Sequence, residues 1–206
     1  MAVIITEPIG SQGFEKVNNR IAEILLEEIT NQKNLQGFDE TLEIYSEVLN
    51  PFDKNMDVMI SVSLKQMDYS EFTARDSQGN TLYYIDLFVS GMGIGDAEAR
   101  DVVKNKLYRY LGLIKYILSS SKYLTLGFAP GFIGGKYVHK IIVDDDYSNH
   151  ERHSNWDTAN VRFARVFFGV RIQENQLLWD SIPLQGNNTN ITYDNTGNGT
   201  QLIFNN

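Results

Sequence analysis

Cysteine is absent from this chain of 206 residues, and proline occurs only 4 times. Without cysteine there is no disulfide framework, no cysteine-ligated zinc and no thiol nucleophile. Long apolar runs are missing as well, because none approaches the ~20 residues that span a bilayer. The first residues also lack the basic start and continuous apolar stretch of a signal peptide. We therefore expect no membrane partner and assembly in a cytoplasm.

Positive charge is scarce relative to negative charge. The chain carries 18 Lys and Arg against 26 Asp and Glu, a formal net charge of −8. Proteins that wrap DNA by neutralising its phosphates need a basic surface, so this balance argues against a protein of that kind. Apolar residues make up 42% of the chain, with 11 Tyr and 11 Phe among them. That content is sufficient for the core of one globular domain.

Two segments have the apolar spacing of amphipathic helices. The first begins near Phe14 and ends before Gly37. Its apolar positions are Val17, Ile21, Ile24, Leu25 and Ile29. The second follows Asp96, which we expect to be its N-cap, and it ends in the serines of 119–121. Its apolar positions are Ala99, Val103, Leu107, Tyr110, Ile114 and Ile117.

A long β-hairpin is predicted between the two helices. Apolar residues alternate with polar ones over 58–65, and residues 82–89 return as a second strand. The sequence at 76–80 is typical of a turn, and the polar tip, 68–80, is expected to project beyond the core. Residues 42–45 are also compatible with a short strand.

A second pair of strands is predicted to close the fold. Residues 127–136 hold four glycines and a proline and are interpreted as a loop. Strands are expected at 137–143 and 160–172, on either side of the polar loop 144–157. One face of the last strand carries Ala164, Val166, Phe168, Val170 and Ile172. The other carries Val161, Phe163, Arg165, Phe167 and Arg171. The second face mixes aromatics with arginine, which indicates a subunit contact.

The order α-β-β-α-β-β predicts the α+β class, with an antiparallel or mixed sheet and two packed amphipathic helices. We expect an extended N-terminal arm over 1–12 and a single α+β domain over 13–180. A polar, Asn/Thr/Gly-rich C-terminal extension follows over 181–206.

Several segments are reminiscent of binding motifs, and each has a plainer interpretation. The glycines of Gly91–Gly95 lie between a strand and a helix, but their spacing departs from the dinucleotide fingerprint, so a glycine-rich turn is the better interpretation. Gly131–Lys136 lacks the Ser or Thr that follows the lysine of a P-loop. Metal-ligand types occur at Asp144, Asp146, His150 and His153. They lie in a loop without the EF-hand pattern, so we interpret the segment as solvated.

Catalysis is not predicted. The remaining histidine, His139, is expected within a strand, and no Gly-x-Ser-x-Gly elbow is present. The sequence therefore predicts no enzyme, no catalytic or metal-binding residue and no cofactor.

The order of elements and the last two strands resemble the tail-terminator family of long-tailed bacteriophages. The matching residues are Tyr137–Val143 (YVHKIIV), an Asp-rich loop with Trp156, and Ala159–Ile172 (ANVRFARVFFGVRI), within a resemblance over 14–174. The resemblance implies a homo-oligomeric ring, hexamer or dodecamer, that acts as a tail terminator or neck connector. Its partners are portal, connector or tail-tube proteins, and DNA passes through the lumen without specific binding. The implied location is the virion, assembled in the cytoplasm of a host bacterium.

A head-to-tail ring needs two different patches that meet. We expect Arg165 and Arg171 on the last strand to face Glu23, Glu27 and Glu28 on the first helix of a neighbour. Two alternatives remain open, a small nucleotide- or metal-dependent enzyme and a monomeric binding module with a disordered tail.

Overall fold

A computed structural model describes residues 8–47, 57–71, 76–91, 96–144 and 160–175. All of them belong to one unit of the chain, which ends at Asn175. The predicted arm is described from Pro8 onward and has no helix or strand over 8–12. The predicted C-terminal extension, 181–206, lies outside the described residues.

The first helix, α1, spans Gly13–Gln36 and matches the prediction. A capping box starts it, in which the Gln12 backbone N–H donates to Glu15 Oε2 at 2.7 Å. Gly37 ends it in the left-handed conformation with a φ of 69°, which glycine adopts without a steric penalty. The apolar residues predicted for its inner side are all buried. Spacing and end signals therefore located this helix correctly.

The sheet has five strands in the order β1-β2-β3-β5-β4. These are β1 (Leu42–Tyr45), β2 (Val58–Glu71), β3 (Asp76–Gly91), β4 (Ile133–Asp144) and β5 (Asn160–Asn175). The short strand β1 pairs parallel to β2, and all other neighbours are antiparallel. The sheet is therefore mixed, and the α+β class is confirmed with one short strand added to the predicted order.

The second helix, α2, spans Asp96–Ser119 and is followed by a 3-10 turn at Ser121–Tyr123. Asp96 is the first helical residue, whereas we expected it just before the helix. A side chain of β4 caps the C-terminal end of α2: Lys136 Nζ donates to the carbonyl oxygens of Leu118 and Ser120. Burial lowers the pKa of Lys136. A cation in this position satisfies carbonyls that a helix end leaves unpaired.

The prediction of a turn at 76–80 was wrong, because these residues belong to β3. They pair with β2 on one side and with β5 on the other. Gly79 permits this, since a Cβ there would lie 2.4 Å from Met67 Cε. The glycine makes room for a side chain of the partner strand. The hairpin connection itself, 72–75, lies outside the described residues.

The prediction of a loop over the whole of 127–136 was also wrong. Strand β4 already begins at Ile133, and its pairing with β5 shifts between Ile133 and Gly135. The Arg171 side chain fills the space beside Gly134, where a Cβ would lie 3.0 Å from Arg171 Cδ. Glycines allow an irregular strand here, so the composition of a loop concealed it.

Both helices pack on the same face of the sheet. Val58, Ile60 and Val62 of β2 and the alternate residues of β3 and β5 point into this core. The five residues assigned to the inner face of the last strand are buried to within 1% exposure, as predicted. Thr41 and Lys106 both bond to Asp57, which ties α2 to the start of β2. The described elements therefore form two layers, and none of the described helices lies on the opposite face of the sheet.

Candidate functional site

The sheet face opposite the helices, here called the open face, is the most distinctive surface of the described structure. Its residues alternate with the core residues along each strand. Met59, Phe88 and Phe163 form a small buried cluster at one end. Next to that cluster the face becomes charged and aromatic. The predicted second face of the last strand thus divides into a buried part and a half-buried, cationic part.

An ion pair occupies the centre of the open face. Asp86 on β3 stands directly opposite Arg165 on β5. Arg165 donates from Nε and Nη2 to the two carboxylate oxygens of Asp86, at 2.6 and 2.7 Å. The Arg165 guanidinium carbon also lies 4.2 Å from the Tyr84 ring centre and 5.4 Å from that of Phe163. Bidentate geometry with a stacked ring is the mode in which arginine binds most specifically.

Beside the ion pair lie four side chains, one from each of four strands, that we call the cation–aromatic row: Lys65 (β2), Tyr84 (β3), Phe167 (β5) and Lys140 (β4). Phe167 is the register partner of both Tyr84 and Lys140, and Lys65 is the extra residue of β2 beyond Leu64. The two rings meet edge to face, with centres 4.8 Å apart. Each lysine ammonium lies 5.6 Å from the centre of the nearer ring, Lys65 at Tyr84 and Lys140 at Phe167. Each is within the range of a cation–π contact.

The two lysines are not neutralised by the part of the chain that the structure describes. Neither has a carboxylate within ion-pair distance there. Lys65 sits at the irregularity of β2 between Leu64 and Gln66, and Lys140 follows the one in β4 after Val138. Bulges redirect side chains in this way. The row therefore combines apolar area with uncompensated positive charge on a chain whose net charge is negative.

Glycine shapes the β4 side of the open face. The ring of Tyr137 lies across Gly169 of β5, where a Cβ would be 2.5 Å from Tyr137 Cζ. Tyr137 is nevertheless 58% exposed, and Ile142 on the same strand is 38% exposed. Large apolar side chains at this level of exposure extend the aromatic surface toward the edge of the sheet.

The outer side of helix α1 has the opposite character. Glu23 and Glu27 are one turn apart, with side chains 59% and 64% exposed. Both approach a single guanidinium, that of Arg20, at 2.9 and 4.0 Å, so within the described ranges one positive charge faces two negative charges. Leu26 lies beside them and is 46% exposed. This acidic patch, defined as Glu23, Leu26 and Glu27, mixes charge with apolar area, as the row does.

Glu28 differs from its acidic neighbours. Its carboxylate accepts hydrogen bonds from Lys122 Nζ and from the Tyr123 hydroxyl in the 3-10 turn. These bonds hold the pKa of Glu28 below its usual value. Glu28 therefore has an internal structural role, which the sequence did not indicate.

The predicted contact between copies stays a prediction, but the structure changes which residues are available for it. Arg165 is bonded to Asp86 of its own chain, and Glu28 to Lys122. Arg171 is exposed and lies over Gly134. The sequence interpretation missed Lys65, Tyr84 and Lys140. Their alternation in the strands was visible, but the register that brings them together was not.

The weaker sequence candidates are placed only in part. Of Gly91–Gly95, the structure describes Gly91, the last residue of β3, which packs against Val103. Strand β3 is antiparallel to both neighbours, unlike the opening strand of a dinucleotide-binding unit. Asp146, His150 and His153 lie outside the described residues, and Asp144 ends β4. His139 lies in β4, as expected.

Among the described residues, no group of three or more His, Asp or Glu side chains is arranged to hold a metal ion. Neither α1 nor α2, as described, is apolar enough over sufficient length to cross a membrane. A scan against protein-family models gave no match, and neither did a search of the curated proteins.

Proposed function

We propose that this chain is a virion structural protein that forms a homo-oligomeric ring at the head–tail junction of a bacteriophage. It acts there as a tail terminator or a neck connector, with DNA passing through the lumen. One observation carries the proposal. Both described helices lie on one face of the sheet, while the other face carries half-buried aromatic rings with lysines that have no ion-pair partner among the described residues. Surfaces of this kind mark contacts with other proteins.

The chemistry of the described residues supports an assembly role over an enzymatic one. The polar groups brought together here form structural contacts, such as Lys136 with the end of α2 and Asp86 with Arg165. The net charge of −8 suits a lumen through which DNA slides without adhering. Apart from the short strand β1, the element order is the one on which the resemblance to tail terminators rests.

The mass of the purified chain in solution tests the proposal. Light scattering coupled to size exclusion is expected to give a hexamer or a dodecamer of the 23.5 kDa chain, and negative-stain images a ring with a central hole. A monomer across a wide concentration range would contradict it. Micromolar binding of a nucleotide or a divalent metal, measured by calorimetry, would favour the enzymatic alternative instead.

A further inference from the structure

We infer that the open face binds the acidic patch of helix α1 from a second copy of this chain, with the cation–aromatic row at the centre of the contact. The inference rests on the proposed ring and identifies the two surfaces that build it. Lys65 and Lys140 supply positive charge, and Glu23 and Glu27 supply negative charge. Leu26 packs against the rings of Tyr84 and Phe167.

Charge selects α1 over α2 as the partner of the row. Both helices pack on the same face of the sheet. The outer side of either helix could therefore meet a neighbouring copy. Among its described side chains, the outer side of α2 carries two exposed lysines, Lys104 and Lys115, against one exposed carboxylate, Asp101, and Tyr108 and Tyr116 are also exposed there. Lysines on α2 would repel the lysines of the row. The acidic patch of α1 carries two carboxylates against the single guanidinium of Arg20, so its net charge is negative and attracts them.

Existing ion pairs also decide which charged residues of each surface are available for a contact with another copy. Arg165 is bonded to Asp86, so the row offers Lys65 and Lys140, which have no ion-pair partner in the described ranges. On α1, Glu28 is bonded to Lys122 and Tyr123, while Glu23 and Glu27 share one arginine. Ion pairs between copies therefore form at the cost of few existing bonds.

The dimensions of the row suit a helix. Strands β2 and β4 are separated by three strand spacings, roughly 14 Å at ~4.8 Å each. An α-helix with its side chains is ~10 Å wide. A helix laid along β3 and β5 thus covers the Tyr84–Phe167 pair and lies between the two lysines.

The positions of the two surfaces determine the kind of assembly. They lie on opposite faces of a two-layer subunit, so one cannot contact the other within the same chain. Each copy presents its helix to one neighbour and its sheet to the next, which is a heterologous contact. Such contacts form closed rings when the rotation between copies closes, and filaments when it does not.

Two double charge reversals test the contact. Glu23→Lys with Glu27→Lys, and separately Lys65→Glu with Lys140→Glu, are each expected to abolish the ring and leave the mass of one chain. The two variants are then mixed in equal amounts. Each reversed helix now faces a reversed sheet of the other variant, so an alternating ring is expected to form at the wild-type mass.

A matched control reverses Lys104 and Lys115 on α2 to Glu, which is expected to leave the ring intact. Circular dichroism and thermal unfolding confirm that each variant is folded. If either double-reversal variant still forms a ring of the wild-type mass, this contact is wrong and the proposed function still stands. The same holds if the mixture of the two variants fails to reassemble. A wild-type monomer at every concentration overturns both.

Discussion

Replacing Asp86 with Asn measures what the central ion pair contributes to stability. The substitution keeps the size of the side chain and one acceptor oxygen, but it removes the charge and one of the two bonds to Arg165. Exposed ion pairs contribute ~0–1 kcal/mol, and breaking a fully buried pair costs ~3–5 kcal/mol. The two side chains are 14% and 33% exposed, so this pair lies between those limits.

We expect Asp86→Asn to lower the free energy of unfolding by about 2 kcal/mol, which lowers Tm by roughly 4–8 °C in a domain of this size. Urea denaturation followed by circular dichroism measures it. The matched control is Asp68→Asn, because Asp68 is exposed on β2 and bonds to Gln66. That control is expected to stay within ~0.5 kcal/mol of wild type. If Asp86→Asn also changes the free energy of unfolding by no more than ~0.5 kcal/mol, the ion pair does not stabilise the open face.

Two further predictions concern contacts between the helices and the sheet. Burial opposes ionisation of Asp57, but bonds from Thr41 and Lys106 hold its pKa below the usual value, so the stability it contributes is lost as pH falls through that lowered pKa. Lys106→Met is therefore expected to flatten the fall in stability between about pH 5 and pH 2, measured by denaturation at each pH. Lys136→Met is expected to cost about 1–2 kcal/mol, because it leaves carbonyls at the end of α2 without a donor. Lys104→Met, on the exposed side of α2, is its control, and an equal effect of the two in denaturation would contradict the capping role.

The helices and the core were predictable because periodicity depends only on nearby residues. The spacing from Val17 to Ile29 located the inner side of α1, and Gly37 located its end. Alternation from Ala164 to Ile172 likewise identified the buried face of β5. In each case burial of a regularly spaced apolar set outweighs other local preferences.

The errors occurred where a neighbouring strand overrides local composition. Residues 76–80 have the composition of a turn, but β5 supplies a pairing partner along their whole length. Glycines at 134 and 135 suggested a loop, but Phe132 and the residues after it bond to β5. Backbone hydrogen bonds with a distant segment stabilise extended structure that the local sequence does not favour.

The open face was predictable in character but not in detail. The mixture of aromatics with arginine on the last strand indicated an unusual surface. The pairing of Arg165 with Asp86 and of Phe167 with Tyr84 depends on the register between strands that are about 80 residues apart in the chain. Lys65 reaches Tyr84 through an irregularity of β2 that the sequence does not signal. The register between strands, rather than residue type, determines that Arg165 has an ion-pair partner while Lys65 and Lys140 have none among the described residues.

The edges of the sheet give a further reason to look for assembly at its faces. Strand β4 ends the order on one side, and its pairing is irregular at Ile133–Gly135 and again at Val138–Lys140. Irregular, lysine-bearing edge strands are poor templates for another strand. On the other side, β1 is only four residues long. Edge-to-edge joining of copies is disfavoured at both ends. On the open face, by contrast, Tyr84 and Phe167 each have a lysine ammonium over the ring, which would give an acidic helix a charge to meet.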